Sequence, residues 1–195
     1  MRRIALTGGI ACGKSLVAKY LDEFGIETID ADDVVHELIP DPAERRRIAA
    51  EVFSDEKKRR ALESRLHPVV KARIDRFLSD AARPESSQGG GRIRLAVIPL
   101  LFETHWDADY DIICTVISPR ETQVDRMMTT RGYTRTEAEA RLDAQMSVKE
   151  KAARSHYVIA NDGSPEELRR SVGRFVRWLR DAAQGGCPAQ QVKHS

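Results

Sequence analysis

Eight consecutive residues near the amino end, Gly8-Gly9-Ile10-Ala11-Cys12-Gly13-Lys14-Ser15, fit the pattern G-x-x-x-x-G-K-[ST] in full. Each fixed position has a chemical reason. The glycines allow backbone angles closed to other residues, so consecutive N–H groups can turn inward on a β-phosphate. A helix beginning near Lys14 would point the positive end of its dipole at the same anion. Lys14 can reach the β- and γ-phosphates, and the Ser15 hydroxyl can ligate Mg²⁺. The expected nucleotide contacts are Gly8, Gly9, Ala11, Cys12, Gly13, Lys14, Ser15 and Leu16. A chance glycine-rich turn is the bland alternative. It would have to fall by accident between an apolar strand and an amphipathic helix, the context that the motif requires. The pattern implies a bound nucleoside triphosphate and nothing more specific.

Phosphoryl transfer to a hydroxyl also needs a carboxylate beside the acceptor, to orient it and take its proton. Asp30-Ala31-Asp32 lies where a second strand should end, on the sheet edge shared with the phosphate loop. In an extended stretch Asp30 and Asp32 would point to the same side. Capping is the competing role, since Asp32 or Asp33 could cap the following helix. Glu103 is the rival carboxylate. It follows Val97-Ile98-Pro99-Leu100-Leu101-Phe102, at a position where many phosphate-loop proteins carry a metal-organising Asp. It could hold the metal through water or merely start a loop.

These groups need a scaffold, and the patterning supplies one. Arg3-Ile4-Ala5-Leu6 is a short buried strand. From Ser15 the residues Leu16, Val17, Tyr20, Leu21 and Phe24 recur at helical spacing, with Gly25 placed as the C-terminal cap. Residues 26–29 then form a second strand, completing a βαβ unit with parallel strands. Residues 33–83 are helical and highly charged, with breaks expected at Pro40, Pro42 and Pro68. Residues 85–91, Glu-Ser-Ser-Gln-Gly-Gly-Gly, make a flexible surface loop. Residues 93–101 are the most apolar run and predict a central strand, with further strands at 111–117 and 156–159. One intervening helix carries a capping box at Thr134 and Glu137. The last has Ser164 as cap, Pro165 at its first position and Glu167 completing the box. That helix puts Leu168, Val172, Phe175 and Leu179 on one face and Arg170, Arg174 and Arg177 on another. A nucleic-acid stripe is conceivable there, but a solvated face opposite a core face fits better. Strands alternating with helices predict a parallel α/β sheet.

Composition excludes several classes. The chain has 195 residues, 41% apolar and 32% charged, enough for one domain with a real core. A net charge of +2 does not suggest a nucleic-acid binder. No apolar stretch approaches the ~20 residues of a membrane helix, and the opening residues look like a strand rather than a leader. The cysteines Cys12, Cys114 and Cys187 are odd in number and lack metal-ligand spacing. A reducing cytoplasm is the expected location.

With these residues assembled, the chain resembles the bacterial dephospho-CoA kinase family over roughly residues 1–180. Leu6-Thr7-Gly8-Gly9-Ile10 is similar to the family's opening, and Asp30-Ala31-Asp32 with Val34-Val35-His36-Glu37 to its second signature. Leu66-His67-Pro68 and Pro99-Leu100-Leu101-Phe102-Glu103 resemble two further elements. Gln123 with Arg126, Arg141 with Gln145, and Asn161-Asp162-Gly163 follow in the family's order. The resemblance implies ATP-dependent phosphorylation of the ribose 3′-hydroxyl of dephospho-CoA, with Mg²⁺. It makes Asp32 the catalytic carboxylate, Lys14 its partner on the phosphates and Arg141 a lid arginine approaching ATP. It puts Asn161 and Gly163 near the adenine, and makes Asp32, His67, Leu100, Phe102 and Glu103 the acceptor contacts. Alone, His67 would more simply cap or pack at a helix start, and Arg126, Arg131 and Arg135 could be surface charge. The fold implied is a three-layer P-loop NTPase α/β fold with a five-stranded parallel sheet. A single domain would span 1–183, with core 1–32, 92–118 and 151–183, a helical substrate-binding insertion at 33–91 and a small lid at 119–150. Residues 184–195 would be a disordered tail. A monomer or weak homo-oligomer acting on a small molecule is expected, without nucleic acid or membrane.

The chain departs from the family pattern at two places. Residues 37–60 are short and lack the usual Phe-Gly and Asp-Gly punctuation. Cys12 replaces a small Ser or Gly; a thiol at a helix N-terminus in a cationic loop is expected to have a lowered pKa, with bound MgATP covering it. Another small-molecule kinase, acting on a nucleoside monophosphate or a sugar, is the nearest alternative. A nucleotide switch would be expected to carry Asn-Lys-x-Asp, which this chain lacks. A nucleic-acid-binding ATPase lacks its aromatic–basic platform.

Overall fold

Strand β1 (Ile4–Gly8) is buried along its whole length, as a strand must be when layers cover both of its faces. It lies at the centre of a five-stranded, all-parallel sheet of order β2-β3-β1-β4-β5. The others are β2 (Glu27–Asp30), β3 (Arg94–Val97), β4 (Ile112–Ile117) and β5 (Tyr157–Ala160). The computed structural model describes residues 2–80 and 93–183. The loop expected at 85–91 and the tail expected at 184–195 lie outside the described residues.

Alternation along the strands sorts side chains into two cores. Ile4, Leu6, Leu95, Val97, Ile112 and Cys114 face α1 (Lys14–Glu23) and α8 (Pro165–Ala183). Ala5, Ala96 and Ile113 face α2 (Ala31–Leu38) and α4 (Glu56–Asp80). The result is three layers, helix–sheet–helix. The α8 face works as its periodicity predicts: Leu168, Val172, Phe175 and Leu179 are buried and the three arginines are exposed. Full burial of each such side chain is worth about 1.5–3 kcal/mol.

The remaining helices are α3 (Pro42–Ser54), between α2 and α4, and α5 (Arg120–Arg131), α6 (Arg135–Asp143) and α7 (Val148–Ala153), between β4 and β5. Both expected capping boxes are present, at Thr134/Glu137 and at Ser164/Glu167. Gly25 has φ +77, and bonds from Gly25 N to Asp22 O and from Ile26 N to Leu21 O close α1. Among the described residues no helix is long and apolar enough to cross a membrane.

Two expectations are corrected. The third strand ends at Val97 rather than at residue 101. Ile98 N still donates to Leu6 O at 2.8 Å, but Pro99 has no N–H with which to extend the ladder. Pro68 does not break its helix, since α4 runs through it. Ser64, whose carbonyl loses its helical donor there, is exposed, as is Pro68, so water can satisfy the group. Pro42 instead opens α3, where Asp41 caps by accepting from Ala43 N at 2.9 Å.

Candidate active site

The phosphate loop runs from the buried end of β1 to the start of α1. Gly8 has φ +151, and a Cβ there would lie 2.4 Å from the Val116 carbonyl oxygen on β4. Only glycine fits. Ala11 (φ +57) and Gly13 (φ +91) also take left-handed backbone angles, and Gly13 caps α1 without a side-chain bond. The first N–H groups of α1 are thus uncovered by any capping side chain, which suits an anion. Lys14 folds back on the loop, its Nζ 3.1 Å from Gly8 O and 3.0 Å from Gly9 O. Burial pushes its pKa down, with the charge of Lys151 adding and Cys12, Asp32 and Asp30 opposing. An ammonium resting on two carbonyls gains from meeting a phosphate. Ser15 is exposed at the head of the helix.

Long-range side chains brace this loop. Asn161 donates from Nδ2 to Cys12 O at 2.8 Å. Arg126 donates to Ala11 O at 3.2 Å, to Ser118 Oγ at 3.0 Å and to Asn161 O at 3.1 Å. Gln123 donates to Ser118 O at 3.0 Å. Arg126, expected among the surface charges, is therefore a brace. Asn161, expected beside an adenine, is 6% exposed with its amide engaged on the loop. Its neighbour Asp162 lines a cavity of about 660 Å³ with Gly9, Ser118, Gln123 and Met146. Gly163 is shaped by the cap of α8, since a Cβ there would lie 2.2 Å from Glu167 Oε2. Cys12 points into the core at 0% exposure, and burial pushes its thiol pKa up. The lowered pKa expected from the helix dipole is thus overturned by desolvation.

On the opposite side of β1, the chain turns from β2 directly into α2 at Ala31, so Asp30 and Asp32 do not share an extended stretch. Asp30, not Asp32 or Asp33, is the cap: its Oδ1 accepts from Asp32 N at 2.8 Å. Burial raises the Asp30 pKa against that bond. The Asp32 side chain is spared the capping task. It is exposed and lines a cavity of about 210 Å³ with Val35, Leu66, His67, Leu100 and Trp106. His67 sits within α4 rather than at a helix start, edge-on to Trp106 at 5.2 Å between centroids. Leu100 is 39% exposed beside this cavity. Phe102 is a correction: it is 1% exposed in the core, with the Arg154 guanidinium 4.4 Å over its ring, and it does not line the cavity beside Asp32.

Glu103 is already engaged. Its Oε1 is 2.8 Å from Lys151 Nζ and accepts from Met146 N at 3.1 Å. Arg141, on α6, donates to Glu137 O at 3.2 Å and stacks 4.0 Å over the Tyr133 ring. Tyr133 packs against the same apolar cluster as Ile10 and Ala11 of the phosphate loop. Sequence reasoning missed Lys151, Trp106 and the role of Arg126. Lys151 looks like any surface lysine in Val-Lys-Glu-Lys, and nothing local separates it from Lys149.

Among the described residues no group of three or more His, Cys, Asp or Glu side chains is arranged to hold a metal ion.

Comparison with known proteins agrees with this architecture. A family model for dephospho-CoA kinase matches residues 2–44 and 42–167. The two stretches meet at 42–44, inside the short segment 37–60. The dephospho-CoA kinase of Geobacter sulfurreducens is 37% identical, covering 88% of this chain and 95% of its own. That of Symbiobacterium thermophilum is 38% identical, covering 97% and 85%; the alignment spans 210 positions, more than this chain has residues. The structure of TT1252 from Thermus thermophilus superposes with a TM-score of 0.73 at 32% identity, over 91% of this chain and 97% of that one. Shikimate kinase from Acinetobacter baumannii, at 16% identity and a TM-score of 0.59 over 93% and 94%, shares the fold. By family model, relatives and fold together, the chain belongs to the dephospho-CoA kinase family.

Proposed function

We propose that this chain transfers the γ-phosphoryl group of ATP to the 3′-hydroxyl of the ribose of dephospho-CoA, giving coenzyme A and ADP, the last step of coenzyme A synthesis. The observation that carries this reading is the division of labour at Asp30-Ala31-Asp32. Asp30 caps α2, which leaves the Asp32 carboxylate at the cavity between α2, α4 and the exit of β3. That cavity opens on the same sheet edge as the phosphate loop.

In this reading the loop N–H groups and the start of α1 bind the β-phosphate, while Lys14 leaves the Gly8 and Gly9 carbonyls for the β- and γ-phosphates. Asp32 orients the acceptor hydroxyl and takes its proton as the O–P bond forms. A Mg²⁺ ion fits here only as a companion of ATP, held by the Ser15 hydroxyl and phosphate oxygens; it would neutralise charge on the transferring group. Residues 119–150 act as a lid, and Arg141 swings from Tyr133 towards the phosphates when α6 moves. Residues 33–91 are the acceptor-binding insertion. The 210 Å³ cavity is smaller than the roughly 300–1,000 Å³ of sites that enclose a drug-sized ligand. It therefore takes one end of the acceptor, against His67, Leu100 and Trp106, and the long arm lies along the helices. The two buried free thiols, Cys12 and Cys114, suit a reducing cytoplasm. A monomer or weak homo-oligomer suffices, with neither nucleic acid nor membrane.

The test is to incubate the pure protein with MgATP and dephospho-CoA and to identify the product by mass and by the position of its new phosphate. Coenzyme A bearing a 3′-phosphate is the expected product. ATP consumed with dephospho-CoA recovered unchanged would refute the reading.

A further inference from the structure

The mechanism above leaves one buried charge unused. The Lys151 side chain on α7 is 0% exposed. Its ammonium lies 2.8 Å from Glu103 Oε1 and donates to Pro99 O at 2.9 Å. Both partners tie it to the reaction's two halves. Pro99 O also accepts from the Thr7 hydroxyl at 3.2 Å, and Thr7 directly precedes the phosphate loop. Pro99 and Leu100 line the acceptor cavity. Glu103 in turn holds the amide of Met146, which lines the larger cavity beside Gly9. One ammonium therefore joins the entry of the phosphate loop, the wall of the acceptor cavity and the segment leading out of α6.

The helix that carries Lys151 is itself pinned. Ser155 Oγ donates to Lys151 O at 2.7 Å, and Thr115 Oγ1 on β4 lies 2.5 Å from Ser155 Oγ. A pair of hydroxyls thus fixes α7 on the strand beside β1. Stability alone is a poor reason for such a pair, with Lys151 fully buried and Glu103 22% exposed, because an apolar pair of similar volume often serves as well or better. Glu103 Oε2, moreover, is buried with no hydrogen-bond partner, a cost that a purely structural pair would be expected to avoid.

We propose that Lys151 is a positioning residue for phosphoryl transfer, holding the acceptor wall at Pro99 and Leu100 in register with the phosphate loop through Pro99 O and Glu103. This rests on the acceptor reading given above. Lys151 touches neither nucleotide nor acceptor; it acts through the residues that do. Displacing a reacting group by about 1 Å costs on the order of 100-fold in rate, which is the scale expected when this tie is lost.

The experiment compares wild type, Lys151→Met and the double variant Glu103→Gln/Lys151→Met. Melting temperature, MgATP affinity, and acceptor kcat and KM are read for each. The single variant leaves a carboxylate with one buried oxygen without its counter-charge and should melt earlier. The double variant removes both charges and should regain most of that loss. In both, kcat/KM for the acceptor should fall about 100-fold, chiefly in kcat, with ATP affinity changed by less than about threefold. A double variant that recovers turnover together with melting temperature would overturn the proposal, since Lys151 would then serve stability alone. Loss of ATP affinity in step with turnover would also overturn it, by showing general collapse of the loop. If the single variant does not fold, the double variant carries the test. Turnover is compared on whichever acceptor the wild type phosphorylates fastest. Wild-type failure on dephospho-CoA therefore counts against the acceptor reading, and not against Lys151.

Discussion

The phosphate loop and the helices that follow β2 are built to opposite standards of rigidity. Around the loop, carbonyls of consecutive residues are caught by side chains from distant elements: Ala11 O by Arg126 on α5 and Cys12 O by Asn161 at the end of β5. Gly8 is wedged against β4 with no room for a methyl group. On the acceptor side, α4 buries Val70, Ile74 and Leu78 at i, i+4 and i+8. In its first half none of the side chains described is fully buried, and Glu63, Ser64 and Arg65 are partly or wholly exposed. A triphosphate presents the same shape to every kinase of this fold, so its cradle can be finished before it binds. In the reading proposed above, an acceptor with a long arm is met by helices that are anchored at one end.

That contrast can be broken by mutation, and the largest effects fall on its two chemical groups. Lys14→Ala and Asp32→Asn should both abolish useful turnover, but they should separate in binding. Loss of Lys14 should weaken ATP binding as well as rate. Asp32→Asn should lower kcat by ~10²–10⁴ while ATP binding stays nearly intact. Isothermal titration beside steady-state kinetics measures the split. If Asp32→Asn keeps near wild-type turnover and Glu103→Gln loses it, the two carboxylates have been assigned the wrong way round.

A smaller effect compares two glycines with positive φ. Gly8→Ala meets the Val116 carbonyl at 2.4 Å and should cost both stability and ATP affinity, because the strand end must shift. Gly25→Ala faces open space at φ +77; it should cost only about 1–2 kcal/mol of stability and leave kcat/KM unchanged. Thermal melts with and without ATP distinguish them. Equal losses in both variants would mean that the loop is less rigid than its contacts indicate.

The smallest effect concerns Cys12. Burial raises its thiol pKa above the ordinary 9.0, with Lys14 and Arg126 opposing. The reactive thiolate is therefore scarcer at pH 7–8 than on a free cysteine, and its share grows only as pH rises past that value. Alkylation at neutral pH should be slow with or without saturating ATP. Fast labelling that ATP suppresses would show the thiol turned outward to the nucleotide.

How much of this was legible from sequence follows from how far each interaction reaches along the chain. The phosphate loop, the α1 stop at Gly25 and the capping boxes are written within a few residues, where spacing alone carries the geometry. The apolar stripe of α8 is legible for the same reason. The braces are not. Arg126 reaches Ala11 across 115 residues and Asn161 reaches Cys12 across 149, so nothing beside either residue marks its partner. Asp30 was misjudged because the chain turns helical at Ala31, two residues earlier than an extended reading of 30–32 allows. Pro68 was misjudged because a proline's cost depends on whether water reaches the freed carbonyl. The inward turn of Cys12 is likewise a property of the packed loop, invisible in a helix-dipole argument.

The central claim is the identity of the acceptor, and it is tested most directly by comparing kcat/KM for dephospho-CoA, AMP and adenosine at saturating MgATP. Contacts to the remote parts of an acceptor help to orient its hydroxyl beside Asp32, so truncated acceptors should lose turnover as well as affinity. Dephospho-CoA should be preferred, with the new phosphate on the ribose 3′-oxygen. Because residues 37–60 are short, the margin should be narrower than in relatives with a longer segment. AMP matching or exceeding dephospho-CoA, with ADP as its product, would make the enzyme a nucleoside monophosphate kinase and contradict the account.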